Sequence, residues 1–246
     1  MLPKDEVAEV EMAVTPAPDD DDAPPPYAPL LPLFTPFPFT HDVCDNIQSR
    51  RAHMFGELIF DLLLLQAGVT SPATLYPPDS GEALEQLLDA IQQCPWDTLK
   101  KSALHFYLLC FVDVNTAHQA TSLPPHFASL AQACYFLDSG DIPSLEKAVA
   151  LLSDGRIVQD LAPKILQTLE ASKEPRLVRT YVRTAQPVLN AFEEASVYVR
   201  ALLDQSLTEA WSFQRGFAEE STVRNQLMRV ILDCCLMRWC SSFLPY

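Results

Sequence analysis

The chain has 246 residues, of which 48% are hydrophobic and 20% charged, a composition that excludes a wholly disordered protein. Glycine occurs only 6 times, which argues against glycine-rich phosphate-binding loops and against a β-rich fold with many tight turns. The formal net charge of −15 should repel nucleic-acid phosphates, so no direct DNA binding is expected. No stretch approaches the roughly 20 uncharged apolar residues of a transmembrane segment. Seven cysteines, an odd number, and no signal peptide indicate a reducing intracellular compartment.

Residues 1–42 are predicted to be a disordered, acidic, proline-rich tail. The first 40 residues contain ten of the 21 prolines, and eight acidic residues against one basic residue give this stretch a charge of −7. Residues 1–26 in particular hold too little apolar surface to offset the conformational entropy lost on folding.

The segment 27–39 differs from the rest of the tail because large apolar side chains alternate with four prolines. Proline disfavours a helix there and favours extended or polyproline II backbone. The preferred interpretation is that the segment lies along the protein's own helical body. The alternative is that Phe34, Phe37 and Phe39 dock in a groove on a partner.

Residues 43–246 are predicted to form one all-α domain. A first helix is expected from about Asn46 through Met54 to Leu65, where apolar residues recur at helical spacing. Later helices should begin at residues that cap a helix or fit its first turn. These predicted starts are Asp97, Pro125, Pro143, Asp160 with Pro163, Pro175 and Ser206. No window alternates as a strand would, so the fold class is an irregular α-solenoid of about ten helices.

Residues that could carry chemistry are few. His41 and Cys44 form a His-x-x-Cys pair, and Cys234, Cys235 and Cys240 cluster near the carboxyl end. Adjacent cysteines on a helix point about 100° apart and chelate a metal poorly, so buried free thiols are the preferred interpretation. With no catalytic motif present, we expect no enzymatic activity, no cofactor, no metal and no small-molecule substrate.

Three arginines are the main candidate for a partner surface. Arg176, Arg179 and Arg183 recur at i, i+3 and i+7 and so share one side of a helix. They could meet an acidic patch on a scaffold subunit. The alternative, which we prefer, is that they pair locally with Glu174 and with acids of a neighbouring helix. Trp239 is a further candidate anchor for a partner.

A series of helix-packing motifs runs in order from Arg50 to about Met237. The motifs are RRAHMFGELIFDLLLLQAG, LYPPDSGEALEQLLDAI, DTLKKSALHFYLLCFVD, LPPHFASLAQACYFLDSGDIPSLEKAVALLSD, APKILQTL, YVRTAQP and SLTEAWSFQR. In order and spacing they resemble the ELYS-like domain of the MEL-28 family of nucleoporins. The chain looks like a short fungal-type member that consists of this helical domain. It departs from the family at Cys134-Tyr135-Phe136, where a Trp-Ala type pair would be expected.

The resemblance implies a structural nucleoporin in the Y-shaped outer-ring coat of the nuclear pore complex, at the nuclear envelope. The implied role is in pore assembly and scaffolding, and so in nucleocytoplasmic transport, mRNA transport included. The implied partners are β-propeller and helical-scaffold nucleoporins. The AT-hook tail and propeller of the long relatives are expected to be absent, so their chromatin binding is not carried over. The alternative function is a general cytosolic helical adaptor unrelated to the pore.

Overall fold

The structure, a computed structural model, describes residues 24–154 and 161–243, with side chains described as far as residue 237. Within these ranges it is helical and contains no strand, which confirms the all-α prediction. A 3-10 helix, Ala28–Phe34, precedes the α-helices. The α-helices are α1 His41–His53, α2 Ile59–Gln66, α3 Pro72–Leu75, α4 Gly81–Gln93, α5 Thr98–Leu109, α6 Val114–Ala120, α7 Pro125–Ser139, α8 Ile142–Leu152, α9 Ala162–Ala171, α10 Pro175–Ala185, α11 Phe192–Leu203, α12 Leu207–Gln214 and α13 Thr222–Phe243.

The helices pack mainly on their neighbours along the chain, as in an irregular solenoid. In the first half α7 is central: it packs against α5 and α8 and also contacts α1, α2 and α9. In the second half α11 is central and packs against α10, α12 and α13. One continuous hydrophobic core runs through both halves. None of the described helices is long and apolar enough to cross a membrane.

Several helix ends lie where the capping residues predict them. The Asp97 carboxylate accepts a hydrogen bond from Lys100 N at 2.9 Å, and the Ser206 hydroxyl accepts one from Glu209 N at 3.3 Å. Gly140 ends α7 with φ 75°, a left-handed conformation that glycine adopts without steric cost. Pro175 begins α10 as predicted. Asp160 lies outside the described residues.

The predicted first helix is wrong as one continuous element. The structure has α1 and α2 with a turn between them, and α1 begins earlier than predicted, at His41. Phe55 and Gly56 take φ values of 60° and 86°, so the chain leaves the right-handed helical region there. Met54 and Leu58 remain 1% exposed on either side of the turn, which is why the apolar spacing continued through it.

Segment 27–39 packs on the helical body, as in the preferred interpretation, and partner docking by its phenylalanines stays a prediction. Tyr27, Phe34 and Phe39 are 5%, 4% and 2% exposed, and the Tyr27 hydroxyl donates to Asp89 Oδ1 at 2.5 Å. Phe37 is partly buried against the same core. The extended backbone predicted for this segment is wrong for Ala28–Phe34, which forms a 3-10 helix.

The domain boundary predicted at residue 42 stays a prediction. Within the described residues, Tyr27, Phe34 and Phe39 are part of the hydrophobic core. Pro29 fits this short 3-10 helix because it occupies the first turn, where the missing N–H has no helical partner, while Pro32 lies inside the helix. Residues 1–23 lie outside the described residues, so their disorder stays a prediction.

Deletion of residues 1–26 should leave the body intact. Residues 24–26 are exposed, and the only described bond lost is the one that Ala28 N donates to Pro25 O. We expect the thermal midpoint to shift by less than about 2 °C, since one exposed hydrogen bond contributes about 0.5 kcal/mol. Circular dichroism melting of the full and shortened chains measures this. A loss of several degrees would contradict the prediction and mean that the acidic segment packs on the body.

A candidate protein-interaction surface

A buried ion pair between Arg51 and Asp61 stabilises the turn between α1 and α2. Arg51 is 5% exposed and Asp61 2%. The Arg51 Nε donates to Asp61 Oδ2 at 2.7 Å and its Nη2 donates to Asp61 Oδ1 at 2.8 Å. Arg51 Nη2 also donates to the Tyr76 carbonyl at 2.8 Å, and Asp61 Oδ2 accepts from Leu58 N at 2.9 Å. The pair therefore joins α1, the start of α2 and the loop after α3.

A second buried carboxylate, that of Asp138 in α7, caps the amino-terminal end of α2, although the two helices are far apart in the sequence. Its two oxygens accept hydrogen bonds from Ile59 N, Phe60 N and the Tyr107 hydroxyl, each at 2.9 Å. Burial raises the pKa of Asp138 to about 6, although these three donors act in the opposite direction. Phe60 stacks on Tyr107 with ring centroids 4.1 Å apart, so α2, α5 and α7 meet at this point.

The raised pKa of Asp138 predicts how stability changes with pH. The pKa moves from an ordinary value of 3.8 to about 6 on folding. Between about pH 4 and pH 6 the folded state therefore holds a proton that the unfolded chain has lost, so stability falls as pH rises through that window. The loss should be about 2–3 kcal/mol, complete above pH 6.

The comparison of wild type with Asp138→Asn tests this prediction, since asparagine does not ionise. In urea unfolding from pH 4 to pH 7, the free energy of unfolding of the wild type should fall by this amount as pH rises. The variant should lack this contribution to the pH dependence. Equal slopes in the two proteins would contradict it.

Arg51, Asp61 and Asp138 with their hydrogen-bond partners form a polar centre in the interior, and its geometry suits a structural role rather than catalysis. A carboxyl group with a raised pKa is a common sign of a catalytic site. Both oxygens of Asp138 are nevertheless engaged by fixed donors of the body, and the residue is only 8% exposed. Burial raises the pKa of the Cys110 thiol to about 12 and that of Cys134 further, so these thiols are poor nucleophiles.

The His-x-x-Cys pair does not assemble into a metal site in the described part of the chain. His41 Nδ1 lies 2.9 Å from Asp45 Oδ2 on the surface, while the Cys44 thiol donates to Pro78 O at 3.6 Å. Among the described residues, no three His, Cys, Asp or Glu side chains are placed to hold one ion. Cys234 and Cys235 are free and half-buried on α13, and the side chain of Cys240 lies outside the description.

The three arginines of α10 each contact an acid that lies in another helix or directly after one. Arg176 Nη2 lies 2.6 Å from Glu146 Oε1 and its Nε lies 3.2 Å from Glu174 Oε2. Arg179 Nη1 lies 3.4 Å from Asp204 Oδ2, and Arg183 Nη2 lies 2.6 Å from Glu209 Oε2. This is the arrangement that the local-pairing interpretation describes. The side chain of Trp239 lies outside the described residues.

Several concave surfaces open on the described residues, and two of them have a largely apolar lining. The larger, about 660 Å³, lies between α2, α9 and α11 and has both apolar and acidic side chains; we call it the acidic groove. The smaller, about 400 Å³, lies between α5 and α7 and is mostly apolar, with Trp96, Phe127 and Leu130 on its walls. Periodicity placed Leu62, Leu166 and Phe192 on apolar helix faces, but it could not show that all three line one groove.

Exposed apolar side chains extend the surface that a partner could use. On α13, Leu232 and Leu236 are 50% and 57% exposed, while Leu227 and Ile231 pack inward. Val188, in the loop before α11, is 73% exposed. Exposed leucines at i and i+4 form a helical stripe of the kind that protein partners cover.

Two comparisons with known proteins bear on identity. A family model described as "ELYS: Nuclear pore complex assembly" matches residues 57–243. "Uncharacterized protein ely5" of Schizosaccharomyces pombe (strain 972) is 26% identical over 200 residues, which are 80% of this chain and 66% of that protein. The matched part thus spans just under two thirds of that relative's length.

Proposed function

The chain belongs to the ELYS family of nuclear pore complex assembly proteins, and from that premise we propose that it is a structural nucleoporin of the Y-shaped outer-ring coat. The observation that carries the proposal is the family match over residues 57–243, which covers most of the helical body. In this role the chain acts by binding other proteins. It contributes to pore assembly and scaffolding and thereby supports nucleocytoplasmic transport, including that of mRNA.

The physical character of the body supports a binding role. The buried carboxylates Asp61 and Asp138 hold helices together through the backbone N–H groups that donate to them. The surface offers grooves and exposed apolar side chains of the kind that protein partners bury. The proposed partners are β-propeller and helical-scaffold subunits of the coat, and the proposed location is the nuclear envelope at the pore.

Localisation and co-purification together test the proposal. A fluorescently tagged chain at native expression should give a punctate nuclear rim, and affinity purification should recover subunits of the outer-ring coat at physiological salt. A diffuse cytosolic signal without pore subunits would overturn the proposal and favour a general helical adaptor.

We also propose the arginines of α10 as a partner surface, and the same localisation and co-purification measurements test it. Reversal of Arg176, Arg179 and Arg183 to glutamate removes their four ion pairs with Glu146, Glu174, Asp204 and Glu209, most of whose side chains are solvent-exposed and therefore only weakly coupled. If the stripe also contacts a coat subunit, the folded variant will lose co-purification and rim signal. If the stripe only joins helices, the folded variant will retain both.

A further inference from the structure

We propose that the acidic groove between α2, α9 and α11 binds a basic segment of another protein that inserts apolar side chains between its own lysines or arginines. This goes beyond the proposed function, since it concerns the chemistry of one surface and holds for a partner inside or outside the pore. The proposal stands on the shape of the groove, its apolar floor and the charges around it.

The floor of the groove is apolar and comes from three helices. Leu62 belongs to α2, Leu166 to α9 and Phe192 to α11, and Leu161 and Val197 complete the lining. Since the helices are fixed by the core, the floor is preformed rather than assembled on binding. A volume of about 660 Å³ is within the range that accommodates a ligand of several side chains.

The rim of the groove is acidic and its cations are already engaged. The lining includes Glu57, Glu170, Glu193 and Glu194 but only two basic residues, Lys164 and Arg200.

Arg200 Nε donates to Glu170 Oε1 at 2.7 Å. The Lys164 ammonium, 8% exposed, donates to Met54 O at 3.2 Å and lies 3.8 Å from Glu57. Within the described residues, Glu193 and Glu194 form no ion pair. The groove therefore presents two uncompensated carboxylates beside an apolar floor.

The effect of Glu193 and Glu194 on the stability of α11 does not explain why they lie beside an open apolar groove. Glu193 and Glu194 lie in the first turn of α11, where a negative charge is favourable to the helix dipole. That interaction explains a carboxylate at this helix end but not an open apolar groove next to it. Their oxygens remain available to a cation from outside, because neither carboxylate is engaged by a cation of the described chain.

The charge of each possible occupant decides which of them can bind in the acidic groove. The chain's own amino-terminal segment, with −7 over its first 40 residues, would be repelled from an acidic rim. A second copy carries the same net charge of −15, so two copies repel each other overall, and the arginines of its α10 are paired with Glu146, Asp204 and Glu209. A basic segment of a different protein meets neither obstacle, and it would gain both burial of apolar side chains and charge complementarity.

A defined peptide tests the groove on the purified full chain. The probe is a fluorescein-labelled peptide of about 14 residues, long enough for four helical turns, with leucines along one face and lysines along the other. Its counterpart has glutamate in place of lysine. By fluorescence anisotropy at physiological salt, the lysine peptide should bind and the glutamate peptide should not.

Matched charge reversals locate the binding. Glu193→Lys with Glu194→Lys alters the groove, while Glu82→Lys with Glu85→Lys makes the same change in net charge on the exposed start of α4. The groove variant should raise the Kd for the lysine peptide at least about tenfold, and the control variant less than about twofold.

Equal weakening by the two variants would overturn the proposal, since it would mean that net charge alone attracts the peptide. Undiminished binding to the groove variant, or no binding to wild type, would overturn it as well. If the lysine reversals unfold the chain by circular dichroism, Glu193→Gln with Glu194→Gln is compared with Glu82→Gln and Glu85→Gln instead. None of these results depends on localisation at the pore.

Discussion

Replacing Arg51 with alanine should lower the free energy of unfolding by about 3–5 kcal/mol, because it strands the Asp61 carboxylate as an unpaired charge in the interior. The guanidinium donates two hydrogen bonds to that carboxylate and one to the Tyr76 carbonyl, and both side chains are at most 6% exposed. A loss of this size is a large part of the 5–15 kcal/mol that typically stabilises a domain. Urea denaturation followed by circular dichroism measures it.

Two further variants show whether the loss of stability comes from leaving one charge buried and unpaired, or simply from losing an ion pair. Arg176→Ala removes the two ion pairs of an arginine side chain that is 56% exposed, and it should change the free energy of unfolding far less than Arg51→Ala does. Arg51→Met with Asp61→Leu removes both buried charges and should recover part of the stability, although Leu58 N then lacks its acceptor. A loss below about 1 kcal/mol for Arg51→Ala would show that Asp61 reaches solvent or another partner.

A chain that begins at His41 should lose still more, about 4–9 kcal/mol. It lacks Tyr27, Phe34 and Phe39, each at most 5% exposed, and burial of one such side chain contributes about 1.5–3 kcal/mol. The aromatic ring of Phe39 packs on Phe111 with centroids 4.8 Å apart, so its removal also uncovers the end of α5.

The matched control for this deletion is the chain that begins at Tyr27, which retains the whole aromatic segment and should unfold like wild type. Phe39→Ala in the full chain isolates one of the three side chains and should cost about 3–5 kcal/mol. If the chain beginning at His41 unfolded at the same urea concentration as the control, the segment would contribute no net stability and the prediction would be wrong.

Local signals in the sequence predicted the helical class and many helix ends correctly, because each depends on a few neighbouring residues. Asp97 and Ser206 cap the helices they were expected to cap, and Gly140 ends α7. The family resemblance, placed from Arg50 to about Met237, agrees closely with the matched residues 57–243. The turn at Phe55 and Gly56 was missed because buried apolar residues continue at helical spacing on both sides of it.

The polar centre and the acidic groove could not be predicted, since both join residues far apart in the chain. Asp138 looks like an ordinary polar residue near the end of a helix, and its bonds reach Ile59 and Phe60 across 79 and 78 positions. In the groove, Leu62 and Phe192 line one surface only because α2 and α9 both pack against α7 and α11 packs against α9. Hydrophobic periodicity shows which face of a helix is apolar but not which other helix it meets.

The long sequence separation between Asp138 and the amides that it caps also affects folding during synthesis. The ribosome releases α1 and α2 long before α7, and the amides of Ile59 and Phe60 lack their acceptor until residue 138 emerges. At translation rates of about 5–20 residues per second, the interval of 79 residues corresponds to roughly 4–16 seconds. During that time the aromatic side chains of the nascent amino-terminal part have no completed core to enter. The start of α2 can therefore reach its final packing only after α7 has been synthesised.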